Sequence, residues 1–191
     1  MNIILGSQSR GRREVLEKMG IRFEVMPSDI DEKTIRHEDP ATLTLMLARA
    51  KTAALLPRIT KPALLICSDQ VVVFDGAIRE KPENREEALM FLRGYSPSGC
   101  VETVTAVVVT NTATGHSEEG VDVARIWFRA IPTDIIVKYI DTGEAYIHGG
   151  GFDHEHELLA PFVVRIDGEP ESITGLPRNM TKELLARCSD R

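Results

Sequence analysis

The chain contains 191 residues, of which 42% are hydrophobic and 27% charged, a composition typical of one globular domain with a sizeable core. Its formal net charge of −6 argues against a general surface for nucleic-acid polymers, so any anion site must be local. Three widely spaced cysteines disfavour a disulfide framework and favour a reducing compartment. The sequence shows neither a membrane-spanning apolar run nor a signal peptide. We therefore expect a single domain over residues 1–191, located in the cytoplasm and not in a membrane.

Hydrophobic periodicity predicts strands and helices along the whole chain. Strand-like segments are residues 2–5, 22–26, 64–67, 71–74, 101–109, 121–128 and 162–166. Helix-like segments are residues 12–19, 40–54, 86–93, 132–142 and 181–187. The polar residues 68–70 are expected to separate two strands, and the turn-rich segment 111–120 is expected to join a hairpin. This pattern predicts an α/β fold.

The first predicted turn, between strand 2–5 and helix 12–19, is rich in groups that bind phosphate. Ser7 and Ser9 supply hydroxyls, and Arg12 and Arg13 supply guanidinium groups that match phosphate oxygens. A helix N-terminus also carries unpaired N–H groups and partial positive charge. The turn therefore suits a polyphosphate. The alternative is that the serines only cap the helix and the arginines form a solvated face.

Several charged residues further along the chain are candidates for the chemistry. Asp69 interrupts apolar sequence, where a carboxylate is costly unless it is paired or used, and it is a candidate general base or metal ligand. The run Ser28-Asp29-Ile30-Asp31-Glu32 holds three carboxylates that suit Mg²⁺, although an acidic solvated loop explains it equally well. Lys51 and Lys81 could neutralise phosphates, but each alone is typical of a surface lysine.

A histidine-rich segment near residue 150 allows a different hypothesis. His148, His154 and His156 are accompanied by Asp153, Glu155 and Glu157. Their spacing matches no established tetrahedral zinc pattern, so a zinc-dependent hydrolase is the weaker alternative. The adjacent glycines, residues 149–151, are better explained by a close approach of the backbone to a ligand.

Six blocks lie in order between residues 4 and 177. They are Ile4-Leu5-Gly6-Ser7-Gln8-Ser9 with Arg12-Arg13, Ser28-Asp29-Ile30-Asp31-Glu32, Leu47-Ala48-Arg49-Ala50-Lys51, Ser68-Asp69-Gln70-Val71-Val72, Glu80-Lys81-Pro82 and Gly175-Leu176-Pro177. Together these blocks resemble the Maf family, named for septum-formation inhibition, within the inosine-triphosphatase-like superfamily. The family's enzymes are nucleoside triphosphate pyrophosphatases.

The resemblance implies an elongated twisted mixed sheet with flanking helices and a cleft between two lobes. It implies hydrolysis between the α- and β-phosphates of a nucleotide, with Asp69 activating water and Glu32 helping Asp69 to hold Mg²⁺ or Mn²⁺. It also implies that the phosphates are bound by Ser7, Ser9, Arg12, Lys51 and Lys81. A homodimer is expected on the same grounds. A regulator that binds nucleotides without catalysis is the alternative.

Three positions bear on which base the enzyme selects. By resemblance, the dTTP and UTP enzymes carry arginine, threonine and glutamine at the positions of Gly11, Gln70 and Glu155. Gln70 and Glu155 instead resemble the branch that prefers 7-methyl-GTP, whereas Gly11 matches neither branch. A carboxylate at Glu155 could accept hydrogen bonds from a guanine N–H and amino group. The sequence therefore favours 7-methyl-GTP, with dTTP or UTP as the alternative.

Overall fold

The computed structural model describes residues 1–96 and 99–189 and contains strands and helices in the α/β arrangement that the sequence predicts. The strands are β1 (Asn2–Leu5), β2 (Glu24–Val25), β3 (Ala63–Phe74), β4 (Ala77–Arg79), β5 (Cys100–Asn111), β6 (Ser117–Phe128) and β7 (Val163–Asp167). The helices are α1 (Arg10–Lys18), α2 (Pro40–Leu55), α3 (Arg85–Gly94), α4 (Thr133–Asp141), α5 (Pro170–Thr174) and α6 (Arg178–Ser189). Within the described residues, no helix has the length and apolar character needed to cross a bilayer.

The strands form one mixed sheet in the order β2-β1-β3-β5-β6-β7, with β4 paired to β3 outside this path. Strand β1 is parallel to both β2 and β3. The β3–β4 and β6–β7 pairs are antiparallel. A mixed sheet with flanking helices is therefore confirmed.

The chain divides into two compact units, each with its own apolar core. The first unit contains Met1–Gln70, Thr105–Asp122 and the chain from Thr174, and the second contains Val71–Val104 and Val123–Ile173. The first core includes Leu5, Leu16, Ile66, Val107 and Leu184. The second core includes Phe91, Tyr95, Phe128, Tyr139 and Phe152. The organisation of residues 1–191 as a single functional domain and the cleft both remain predictions.

Three local expectations are wrong. Residues 68–70 do not break the sequence into two strands, because β3 continues through them. The hairpin turn is shorter than residues 111–120, since β6 already begins at Ser117. The strand expected at residues 22–26 is reduced to β2, which is only two residues long. Polar residues can remain in a buried strand when each polar side chain has a hydrogen-bond partner. This condition is met at residues 68–70, whose side chains bond to Gly175, Lys51 and Thr105, respectively.

Candidate functional site

The parallel pairing of β1 with β3 determines where the first turn lies. Leu5, the last residue of β1, is opposite Ile66 in β3. The Gly6 N–H then donates to the Ile66 carbonyl oxygen at 2.8 Å. The turn that enters α1 therefore lies beside the part of β3 that follows Ile66, which contains Ser68 and Asp69.

The two serines of this turn organise its backbone. Ser9 is the N-cap of α1, and its Oγ accepts a hydrogen bond from the Arg12 backbone N–H at 3.4 Å. The Ser9 backbone N–H donates to Ser7 Oγ at 3.2 Å, and Ser7 is buried. Ser9 therefore caps α1, and its role in phosphate binding stays a prediction. Arg13, by contrast, is exposed on α1.

Arg12 is held by three acceptors and does not belong to a solvated face. Its Nε donates to the Gly175 carbonyl oxygen at 3.0 Å. Its Nη1 donates to Ser68 O at 2.7 Å and to Ser7 Oγ at 3.2 Å. Burial lowers the pKa of this guanidinium, while the negative charges of Asp69 and Glu32 oppose that shift. The side chain is thus fixed beside β3, and these bonds engage its Nε and Nη1 groups.

Gly175 has a structural role that sequence reasoning missed. Its φ of +111° lies in the left-handed region that favours glycine. In that conformation its carbonyl accepts from Arg12 and also from Ser68 Oγ at 3.3 Å. The Gly175-Leu176-Pro177 block indicated that this segment mattered, but not which backbone atom acts.

Lys51 joins the two carboxylates that the resemblance assigns to catalysis. Its Nζ lies 2.5 Å from Asp69 Oδ1 and 2.8 Å from Glu32 Oε1. Lys51 and Asp69 are each only 6% exposed, whereas the Glu32 side chain is 52% exposed. Helix α2 therefore carries Lys51 into the interior, and the surface-lysine interpretation is wrong for this residue.

The electrostatics of Asp69 follow from this position. Burial raises the pKa of its carboxyl group above the ordinary range, and the positive charges of Lys51 and Arg12 act in the opposite direction. Glu32 adds a second negative charge nearby, which also raises that pKa. Asp69 is thus a buried carboxylate whose charge depends on its basic neighbours.

The donor set of Glu32 and Asp69 fits a hard divalent cation. Both residues offer carboxylate oxygens, the ligands that Mg²⁺ and Mn²⁺ prefer. Both also face the same positively charged Nζ of Lys51, so their charges already converge on one cation.

Gln70 and Gly11, two of the three positions that the resemblance connects with base selection, lie in the first unit. The Gln70 Nε2 donates to Thr105 Oγ1 at 2.8 Å, which fixes the amide orientation. A Cβ at Gly11 would lie 2.6 Å from Thr174 Cγ2 and 3.0 Å from the Thr174 carbonyl oxygen. Glycine is therefore required at position 11 by close packing. Thr105 was missed because a threonine within a β-branched run is typical of any strand.

Lys81 and Glu155 lie in the second unit, and both are exposed. Next to Lys81, the Glu80 carbonyl oxygen accepts from the Gly150 N–H at 3.0 Å. The Glu155 backbone N–H donates to Asp153 Oδ1 at 3.0 Å. Within this unit, the fold thus places the Glu80-Lys81-Pro82 block against the glycine run.

The three histidines do not form one cluster. His148 lies with Glu144 and Asp153, in the one group of potential metal ligands found among residues 1–96 and 99–189. His154 is buried, and His156 packs edge-on against Tyr139 with ring centroids 4.9 Å apart. A zinc hydrolase built on all three histidines is therefore wrong for the described residues. Glu144 was missed, although its i,i+4 spacing from His148 is a sequence signal that could have indicated this contact.

Comparison with known proteins gives a consistent result. The family model described as "Maf-like protein" matches residues 2–188. A 7-methyl-GTP pyrophosphatase of Dictyostelium discoideum is 44% identical, covering 98% of this chain and 97% of the relative. The 7-methyl-GTP pyrophosphatase of Vibrio vulnificus is 33% identical over 97% of this chain and 94% of the relative. A dTTP/UTP pyrophosphatase of Bdellovibrio bacteriovorus is 31% identical over 97% of each chain.

Proposed function

The chain belongs to the Maf-like protein family, and we propose that it is a nucleoside triphosphate pyrophosphatase. The reaction converts a nucleoside triphosphate and water into a nucleoside monophosphate and pyrophosphate. The observation that carries the proposal is the contact of buried Lys51 with both Asp69 and Glu32. This arrangement supplies a fixed base and positive charge together, as hydrolysis of a polyanion requires.

Binding of the triphosphate begins at the N-terminus of α1. The Ser7 and Ser9 hydroxyls and the helix N–H groups suit phosphate oxygens. Arg12 engages Nε and Nη1 in its three protein contacts, so its Nη2 group is the part that would meet a phosphate. Lys51 and Lys81 contribute further positive charge, as does the exposed Arg13.

Asp69 is the proposed proton acceptor for the attacking water. One water proton passes to the Asp69 carboxylate as the water oxygen bonds to the α-phosphorus. The bond from that phosphorus to the bridging oxygen breaks, and its electron pair leaves with pyrophosphate. Lys51 and Arg12 stabilise the negative charge that develops on the phosphates. Glu32 helps to keep Lys51 oriented, because its carboxylate contacts the same Nζ.

A divalent cation, Mg²⁺ or Mn²⁺, is the proposed cofactor. Glu32 and Asp69 would hold it through their carboxylate oxygens. When bound, the ion neutralises phosphate charge and thereby makes the phosphorus more open to attack. Activity is accordingly expected to disappear in a chelator and to return when Mg²⁺ is added.

The preferred substrate is proposed to be 7-methyl-GTP. Two of the relatives described above carry that name, and one of them is 44% identical to this chain. Gln70 and Glu155 support the proposal, since both resemble the branch that prefers 7-methyl-GTP, and a carboxylate at Glu155 suits a methylated, cationic base. The dTTP/UTP relative makes those nucleotides the second candidates.

We also propose that the protein acts as a homodimer in the cytoplasm. All three cysteines are free thiols, two of them buried, which suits a reducing compartment. Light scattering on purified protein would give the mass of the assembly. Neither a nucleic-acid polymer nor a membrane is part of the proposed function.

The experiment that tests the function measures both products from 7-methyl-GTP, GTP, dTTP, UTP and CTP with Mg²⁺. Detection of pyrophosphate together with monophosphate distinguishes this reaction from release of inorganic phosphate. The wild type is compared with Asp69→Asn, which we expect to lower kcat by about 100- to 10,000-fold because it removes the base.

Asp75→Asn is the matched control for the same chemical change. Asp75 is exposed in the turn between β3 and β4 with φ of +51°, a conformation that asparagine tolerates. The activity of the Asp75→Asn variant should equal that of the wild type. If the wild type binds nucleotides but forms no pyrophosphate, the protein is a nucleotide-binding regulator and the proposed function fails. If Asp69→Asn remains fully active, Asp69 is not the base.

A further inference from the structure

His148 lies between two carboxylates in the second unit. Its Nε2 is 3.2 Å from Glu144 Oε2 and 4.0 Å from Asp153 Oδ2. The three potential ligand atoms all lie within 4.8 Å of one another, and the three side chains are between 20% and 29% exposed. The group thus combines one imidazole with two carboxylates and remains accessible from solvent.

The backbone that carries this trio is anchored to the core. The Asp153 N–H donates to the buried Tyr139 hydroxyl at 2.8 Å. The buried Tyr95 hydroxyl donates to the Gly150 carbonyl oxygen at 2.7 Å. Asp153 Oδ1 accepts from the Glu155 N–H, so Oδ2 is the oxygen that faces His148. The ligand atoms are therefore presented by a segment that its hydrogen bonds hold in place.

A second histidine shows what an ordinary ion pair looks like in this protein. His116 Nε2 lies 3.0 Å from Glu118 Oε1, and its side chain is as exposed as that of His148. There the carboxylate also faces a cation, because Arg187 Nη1 lies 4.0 Å from Glu118 Oε2. The His148 ring nitrogen differs in facing two carboxylates, those of Glu144 and Asp153. Two acids on one ring nitrogen are the arrangement that a bound cation stabilises.

We propose that Glu144, His148 and Asp153 form a site for a divalent transition-metal ion, Zn²⁺ above all. Zinc binds imidazole nitrogen and carboxylate oxygen at about 2.0–2.2 Å, which places tetrahedral ligands roughly 3.3–3.5 Å apart. The pair of His148 and Glu144, at 3.2 Å, is close to this spacing, and Asp153 Oδ2, at 4.0 Å from His148 Nε2, would have to move closer. With three protein ligands, one position remains for water or another ligand.

The site has a direct connection to the loop that carries Glu155. A metal ion on Asp153 Oδ2 leaves Oδ1 bonded to the Glu155 N–H. Metal binding therefore links the first residue of the turn Glu144–Tyr146 to the segment that follows the glycine run. The expected consequence is a more stable second unit when Zn²⁺ is present.

The test measures Zn²⁺ binding to protein that carries no affinity tag. The protein is stripped with a chelator, and Zn²⁺ binding is followed by equilibrium dialysis in excess Mg²⁺, which competes at oxygen-only sites. A Cys100→Ser background removes the one partly exposed thiol. Absorbance of bound Co²⁺ reports the ligand geometry. We expect one Zn²⁺ per chain that His148→Asn weakens by at least about tenfold.

His116→Asn is the matched control, because it removes an equally exposed histidine from a pair with one carboxylate. It should bind Zn²⁺ like the wild type. Zn²⁺ should also raise the Tm of the wild type and of His116→Asn but not that of His148→Asn. Asp153→Asn gives a second, conservative variant with the same expected loss. The proposal is overturned if the wild type does not bind Zn²⁺, if His148→Asn and Asp153→Asn bind as well as the wild type, or if His116→Asn is weakened equally.

Discussion

The central charged pair of the first unit and the charged candidate residues of the second unit differ in burial. In the first unit, Lys51 and Asp69 are buried and bonded to each other, and Arg12 is held by three acceptors, while Glu32 remains exposed. In the second unit, Lys81 and Glu155 are both exposed. A lysine and a carboxylate are thus interior residues in one unit and surface residues in the other.

This difference in burial determines whether a substitution affects the stability of the fold. A buried charge without its partner costs several kcal/mol, so Lys51 and Asp69 contribute to the stability of the fold as well as to the proposed chemistry. An exposed charge contributes little to stability, so it can be altered without affecting the fold. Substitutions of the buried residues should therefore lower stability together with activity, whereas substitutions of Lys81 and Glu155 should change activity without changing stability.

The largest expected effect comes from Lys51→Met compared with Lys81→Met. Removing Lys51 leaves the Asp69 carboxylate buried without its closest positive partner, which we expect to lower the free energy of unfolding by about 3–5 kcal/mol. Lys81→Met should change it by less than about 0.5 kcal/mol. Denaturant unfolding monitored by circular dichroism measures both values. Equal losses of stability in the two variants would contradict the assignment of Lys51 as a buried charge and Lys81 as a surface charge.

Gly175→Ala tests whether a backbone atom positions Arg12. Alanine at this positive φ should cost about 1–3 kcal/mol and displace the carbonyl that accepts from Arg12 and Ser68. We therefore expect lower stability together with lower kcat/KM for pyrophosphate release. Gly20→Ala is the control, since Gly20 has φ of +71° and its Cβ would contact nothing within 4 Å. That variant should lose stability alone, and a comparable loss of kcat/KM in it would contradict the role of Gly175.

Glu155→Gln addresses base choice without disturbing the core. Because Glu155 is exposed, unfolding should be unaffected, while the preference for 7-methyl-GTP over dTTP should fall by about tenfold. The ratio of kcat/KM values for the two nucleotides measures this preference. Glu157→Gln makes the same change at another exposed glutamate of the same segment and should leave the ratio unchanged. If this ratio of kcat/KM values is unchanged in Glu155→Gln, Glu155 does not contribute to base selection.

The smallest effect is expected from Thr105→Val. The substitution removes the acceptor that orients the Gln70 amide and should cost about 1 kcal/mol of stability. The preference between 7-methyl-GTP and dTTP should shift by a few-fold. Thr110→Val is matched, because Thr110 is also buried in β5 and its hydroxyl bonds to Ser117 Oγ at 2.8 Å. Identical substrate preferences in the two variants would show that Thr105 acts on stability alone.

Much of the fold could be predicted because it depends on local patterns. The strand at β1, the helix that starts at Pro40 with Asp39 as its N-cap, and the β5–β6 hairpin all follow from periodicity and from capping residues. The continuation of β3 through residues 68–70 could not be predicted. It depends on partners that lie far away in sequence, at Gly175, Lys51 and Thr105.

The candidate site likewise contains features that local sequence predicts and features that depend on distant partners. The sequence drew attention to Asp69, Lys51, Arg12 and the serines because their side-chain chemistry suits phosphates. It did not indicate that the Gly175 carbonyl holds Arg12, since a carbonyl is common to every residue and only the backbone conformation makes it special. It also did not connect Glu144 to His148, because the metal-site hypothesis for this segment paired the histidines with Asp153, Glu155 and Glu157 and did not include Glu144.

By itself, the sequence determined the α/β class, the family resemblance and the types of side chain available for phosphate chemistry, because these depend on local composition and spacing. Only the tertiary structure decided which charges are buried. Pairing of β1 with β3 sets the α1 turn beside Asp69, and α2 then brings Lys51 within 2.5 Å of it. Whether a lysine becomes a buried partner or a surface charge depends on what the fold packs around it, and no local pattern contains that information.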